Sequence, residues 1–207
     1  MAFGRPFACP REEKMTMDTS SMTWLNPPPR FEMRGGDLHV WSGPKTDFWQ
    51  GTYYGFHRDD GHFLHRSRQG DFTAEVSFSG RYQELYDQAG LMVRADATHW
   101  MKCGIEYTDG AMHFSVVVTN GNSDWSAFRL DHTFERMGVR VTRNGDALFI
   151  QYRTDRMEDW RMARLAWIDP AYAEVAVGPV FCSPQRAGFE AVFHDFSLTD
   201  PLSREIH

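Results

Sequence analysis

Residues 85–130 alternate between polar and apolar side chains so regularly that a strand register can be written from the sequence. A two-residue turn at Asp109-Gly110, a pair suited to positive φ, sets Thr108 opposite Ala111. Glu106 then faces His113, Gly104 faces Ser115 and Lys102 faces Val117. A loop at Ala95–His99 that puts Arg94 opposite Trp100 likewise sets Gln88 against Glu106, Gly90 against Gly104 and Met92 against Lys102. The other parity is apolar throughout: Ala89, Leu91 and Val93 align with Ile105, Cys103 and Met101, and these with Phe114, Val116 and Val118. A slip of one residue would turn every one of these side chains toward water, so the register is tightly constrained.

This register also spells out the opposite face. Gln88, Glu106 and His113 form one row across adjacent strands, about 4.8 Å apart. Beside it, Gly90, Gly104 and Ser115 leave a shallow trough with almost no side chain, and Lys102 lies beyond. Across a longer loop at 119–124, Phe128 and Leu130 continue the core parity, which places Trp125, Ala127 and Arg129 on the outer face.

Similar alternation recurs from Trp24 onward, as in Phe72–Phe78 and Met112–Val118, and Val139–Val141 is joined through Asn144-Gly145 to Leu148–Ile150. Asn144-Gly145 is read as a second two-residue turn of the same kind. About a dozen such segments, with no sustained helical periodicity, predict an all-β, jelly-roll sandwich of two antiparallel sheets with little or no helix. Residues 1–22 lack apolar periodicity and a signal-peptide core, and are expected to be a flexible tail before a single domain at 23–203. The aromatic share, 14%, is too large for a solvated coil.

Lys and Arg number 22 against 28 Asp and Glu, a formal charge of −6. That disfavours a nucleic-acid or anionic-membrane partner, which needs a basic field. No apolar run approaches the roughly 18 residues of a membrane helix. The three cysteines, Cys9, Cys103 and Cys182, form no close pair, so Cys103 and Cys182 are expected as small buried side chains in a reduced, cytoplasmic protein. The histidines and acids of 57–65 take no ligand spacing, and Asp59-Asp60-Gly61 reads as a turn, so neither a metal nor a cofactor is expected.

The polar face supplies the candidate site: Gln88, Lys102, Glu106, His113, Trp125 and Arg129 as ligand-binding residues. Carboxylate, amide and imidazole groups bond sugar hydroxyls, and an aromatic rim stacks on an apolar sugar face. Glu106 is the only carboxylate the register places there, and it is the one candidate for acid or base catalysis. Asp87 has the inward parity of a hydrogen-bonded edge group.

The segments Asp47-Phe48-Trp49, Tyr86–Met92, Trp100–Tyr107, Ser123–Ser126, Val177–Pro184 and Phe193–Phe196 resemble an uncharacterised family related to "regulation of enolase" proteins, from about Trp24 to Leu202. The resemblance implies a concanavalin A-like sandwich, in a superfamily that contains lectins and glucanases. It brings no catalytic residues, and the carboxylate-rich strand of the glucanases has no counterpart in Gly104–Asp109. Three functions remain open: a non-catalytic carbohydrate or small polar ligand-binding module, a regulatory domain with a metabolic enzyme as protein partner, and a glycoside-active enzyme using Glu106. Phe48, Trp49 and Trp24 are expected to pack in the core or at a sheet edge.

Overall fold

The computed structural model describes residues 17–202. They form sixteen β-strands and no helix, in two seven-stranded antiparallel sheets and one two-stranded hairpin. In spatial order the front sheet comprises β1 (Thr23–Leu25), β6 (His62–Gln69), β15 (Glu174–Cys182), β8 (Gln88–Asp96), β9 (His99–Thr108), β10 (Ala111–Asn120) and β11 (Asn122–Arg129). The back sheet runs β14 (Arg161–Trp167), β13 (Ala147–Thr154), β12 (Met137–Asn144), β7 (Phe72–Gly80), β16 (Glu190–Thr199), β3 (Asp37–Trp41) and β2 (Arg30–Arg34). The expected two-sheet sandwich is the fold observed.

The register predicted for β8, β9 and β10 holds at every stated pair, from Gln88↔Glu106 and Arg94↔Trp100 to Lys102↔Val117. Asp109 and Gly110 take the positive φ values, 51° and 69°, that a two-residue turn of this kind needs. Two turns differ from expectation. The supposed loop 119–124 is strand, because β10 runs to Asn120 and β11 starts at Asn122, folding back about Gly121 at φ 76°. The second hairpin turns at Gly145-Asp146, since Asn144 pairs with Ala147 and only Gly145, at φ 62°, adopts the left-handed region. The carboxylate of Asp71 accepts the Gly145 N–H at 2.8 Å and helps fix that position.

Between the sheets lies one core of inward residues, including Leu91, Val93, Ile105, Phe114 and Val116 from the front and Phe72, Val76, Val139, Ile150 and Phe193 from the back. Of the expected tail, residues 1–16 lie outside the described residues. Met17 is 3% exposed within this core, and its N–H donates to Gly36.

A second apolar cluster sits on the opposite face of the front sheet. The hairpin of β4 (Phe48–Gln50) and β5 (His57–Asp59) folds over that face and packs Phe48 and Trp49 on Met92, Trp100, Val117, Phe63 and Val180. Trp100 therefore has the outward parity read from the sequence and is nonetheless buried. The hairpin is anchored at its base. Arg94 holds Asp59 through two parallel bonds of 2.7 and 2.9 Å, Gln50 takes the Ser123 hydroxyl oxygen through its N–H, and its side chain reaches Ala97. Gly61 completes the fit, because a Cβ there would stand 2.3 Å from the Phe48 ring.

Candidate functional site

The roof covers only part of the front face and leaves a cleft of about 260 Å³ beside it. Four of the six residues chosen from the sequence line it: Gln88 at the start of β8, Lys102 and Glu106 on β9, and Trp125 on β11. The other two do not. His113 and Arg129 pair with each other one strand beyond Glu106, where His113 contacts the Ala111 carbonyl and Arg129 is exposed near Asp131. Lying on the correct face was not sufficient, because the cleft lining reaches β10 and β11 at Val117 and Trp125 and not at His113 or Arg129.

The floor is polar and buried, with two hydrogen-bonded groups side by side, one around Lys102 and one around Glu106. Glu106 and Lys102 are only 3% and 6% exposed. The Lys102 ammonium donates to Gln88 Oε1 at 2.8 Å and to Asp47 Oδ1 at 3.2 Å. Burial works against its charge, but the Asp47 and Glu106 carboxylates outweigh that and hold its pKa above the ordinary value. The Ser115 hydroxyl donates to Glu106 Oε2 at 2.7 Å and accepts the Trp125 indole N–H at 3.0 Å, which fixes the ring at the rim. Burial raises the Glu106 pKa, opposed by Ser115 and Lys102. Glu106 Oε1 and the Gln88 amide nitrogen take no partner among the described residues.

Cys182 is buried as expected, yet its surroundings are polar: its thiol lies 3.4 Å from Gln88 Oε1. The same burial raises its pKa and keeps it a thiol. Beneath the network is a pit of about 20 Å³, lined by Gln88, Gly90, Lys102, Gly104, Glu106, Ser115 and Cys182 among others.

The walls were not legible in the strand register. Asp47, on the loop between β3 and β4, supplies the counter-charge of Lys102. Trp49, Tyr54 and Phe56 come from the hairpin, Tyr86 from the loop before β8, and Pro184 and Gln185 from the loop after β15. The Tyr54 and Phe56 rings stack at 5.4 Å, and the Tyr54 and Tyr86 hydroxyls meet at 3.1 Å across the cleft. That bond, with burial, pushes the Tyr86 phenol up to about 12. Asp87 takes the inward, bonded position expected of it. It is 0% exposed and accepts the Ser183 hydroxyl at 2.7 Å, the Arg186 guanidinium at 2.6 Å and the Gln83 and Glu84 N–H groups. Asp87 thus ties together the two loops that present Tyr86, Pro184 and Gln185. The motif Asp47-Phe48-Trp49 was visible in the sequence, but no short hairpin connects it to β8–β11, so its place could not be registered.

The family described as "Protein of unknown function (DUF1349)" matches residues 24–201. "Regulation of enolase protein 1" from Saccharomyces cerevisiae is 42% identical over 94% of this chain and 98% of its own length. The crystal structure of a functionally unknown protein from Saccharomyces cerevisiae, also 42% identical, superposes with a TM-score of 0.85 over 90% of this chain and all of that one. Two more distant structures share the fold. One is the GH43 protein BlXynB from Bacillus licheniformis, with 14% identity and a TM-score of 0.69, covering 87% of this chain but 37% of that one. The other is the carbohydrate-binding module CBM66 from Bacillus subtilis, with 13% identity and a TM-score of 0.57, covering 90% of this chain and 99% of that one.

Proposed function

We propose that this chain, which belongs to the DUF1349 family of proteins of unknown function, is a non-catalytic binding module for a neutral, polyhydroxylated ligand of sugar size. One observation carries the reading: a buried floor with charges of both signs and unused hydrogen-bonding capacity lies under aromatic walls. Burying Asp47, Lys102 and Glu106 costs several kcal/mol per ion before pairing. An ordinary solvated sheet face has no need of such a network. Hydroxyls suit it because each can donate to a carboxylate and accept from an amide or ammonium, while Trp125 and the Tyr54–Phe56 pair offer ring faces to C–H surfaces. A ligand of high net charge suits it poorly, since both signs are present. The cleft is also small beside the roughly 300–1,000 Å³ of typical small-molecule sites, which fits one or two rings.

The test is direct titration with methyl glycosides of glucose, galactose, mannose, xylose, arabinose and fructose, followed by calorimetry and NMR. At least one should bind, and Trp125→Ala should abolish that binding with the fold intact. If none binds at millimolar concentration, the reading fails.

A second reading, glycosidic-bond chemistry with Glu106 as general acid, is favoured by its raised pKa and by Asp47 as a second carboxylate in the cleft. The commitment of Asp47 Oδ1 to Lys102 and to the Phe48 N–H argues against a free nucleophile. Turnover of a chromogenic glycoside that Glu106→Gln abolishes would favour this reading, and full activity in that variant would end it. A regulatory role toward a protein partner is supported only by the name of the yeast relative. Its test is co-elution of purified enolase with this chain on gel filtration.

A further inference from the structure

The pit under the cleft says more about the ligand than the cleft does. It measures about 20 Å³, and a polar cavity of roughly 10–15 Å³ or more takes a single water-sized group if it offers two to four polar partners. It offers those partners. Glu106 Oε1 is an unused acceptor on a side chain 3% exposed, the Gln88 amide is an unused donor, and the Lys102 ammonium commits bonds to Gln88 and Asp47 and retains a third proton. One hydroxyl satisfies this set by donating to Glu106 and accepting from Gln88 or Lys102. An ammonium group would meet Lys102, and an anion would meet Glu106 and Asp47.

The backbone under the pit leaves no room for a side chain. A Cβ on Gly90 would lie 1.9 Å from the Cys103 carbonyl oxygen, and one on Gly104 would lie 2.2 Å from that of Ala89. The floor is therefore backbone held by two neighbouring strands.

We infer that the pit reads one free hydroxyl of the ligand, so the module binds only sugars in which that hydroxyl is neither removed nor substituted. This rests on the ligand-binding reading above. A methylated or glycosidically linked oxygen carries a carbon substituent that the pit cannot hold and lacks the proton that Glu106 requires. A site built to bond a hydroxyl rejects the analogue lacking it by up to about 10⁴-fold, because its own buried groups are left unpaired.

The experiment uses the full chain and the sugar that binds best among the six methyl glycosides, with its full set of single-position deoxy and O-methyl derivatives. One position should stand out, with deoxygenation and methylation there each weakening binding at least 100-fold, and the other positions should change it less than 10-fold. Gln88→Met, which keeps the side-chain length and removes the amide, should weaken the parent sugar and flatten the difference between parent and deoxy analogue. Binding that tolerates methylation at every position overturns the hydroxyl-reading inference and leaves the binding reading standing. No binding by any of the six glycosides removes both.

Discussion

On the outer face of the back sheet, Arg140 bonds Glu75 at 2.6 Å and stacks on Trp160, whose other neighbour is the Arg153 guanidinium, with ring distances of 4.2 and 4.9 Å. Trp160 rests on Gly138, and nearby Ser79, His194 and Asp37 form a line across β7, β16 and β3 with spacings of 3.1 Å. On the outer face of the front sheet, a tryptophan, a lysine, two carboxylates and a serine are arranged quite differently. There the charges lie under a roof and the indole stands at a rim. Residue types hardly distinguish the two faces. The difference lies in the β4–β5 hairpin, which removes water from one polar face and leaves aromatic walls around it. Ion pairs on an open face contribute little and are screened by salt, whereas the same groups under a roof are held away from water and interact more strongly with one another.

The contrast can be broken most severely by removing the roof. Phe48→Ala should cost about 3–5 kcal/mol, as for other buried phenylalanines, and should expose Trp100 and Met92; denaturant unfolding and the tryptophan emission maximum would report it. Unchanged stability would mean that the hairpin is not what closes the cleft. Trp160→Ala on the back face should cost about 1–2 kcal/mol, from two cation–π contacts and partial burial, and leave glycoside affinity unchanged. Trp125→Ala should do the reverse, shifting stability by no more than about 0.5 kcal/mol as a rim substitution while abolishing binding.

The smallest expected effect runs in the opposite direction. The folded-state pKa of Glu106 is raised above its ordinary 4.5, so the folded state favours the protonated form and loses stability as pH rises through that window. Glu106→Gln should therefore unfold at a slightly higher temperature than the parent at pH 7, with the gain vanishing near pH 4, and it should bind glycosides more weakly. A variant less stable at pH 7 would show that Glu106 is structural.

The sequence revealed whatever depends on local pairing. The β8–β10 register, the shared face of Gln88, Lys102 and Glu106, and the two-sheet class all follow from period-2 alternation and turns of a few residues. Trp125 was placed on the right face even though the loop assigned before it is strand, because the one-residue fold at Gly121 preserves parity. Asp47 and Trp49, in contrast, approach Lys102 and Trp100 across some fifty residues of chain, and no hairpin transmits that register. A trace of the roof was present in the apolar Met92, Trp100 and Val117 of the outward parity. A face meant for water has no reason to carry them in one patch.

Gly90 and Gly104 also bear on how such a site can diverge. Any side chain at either position would drive β8 and β9 apart, so the floor cannot be varied by single substitutions without loss of the sheet. The exposed side chains of Thr52, Tyr54 and Phe56 at the hairpin tip meet no such obstacle. Within this architecture, single substitutions can reshape the roof and the loops far more readily than the floor. A saturation mutagenesis map scored for folding should show this as intolerance at 90 and 104 beside tolerance at 52, 54 and 56.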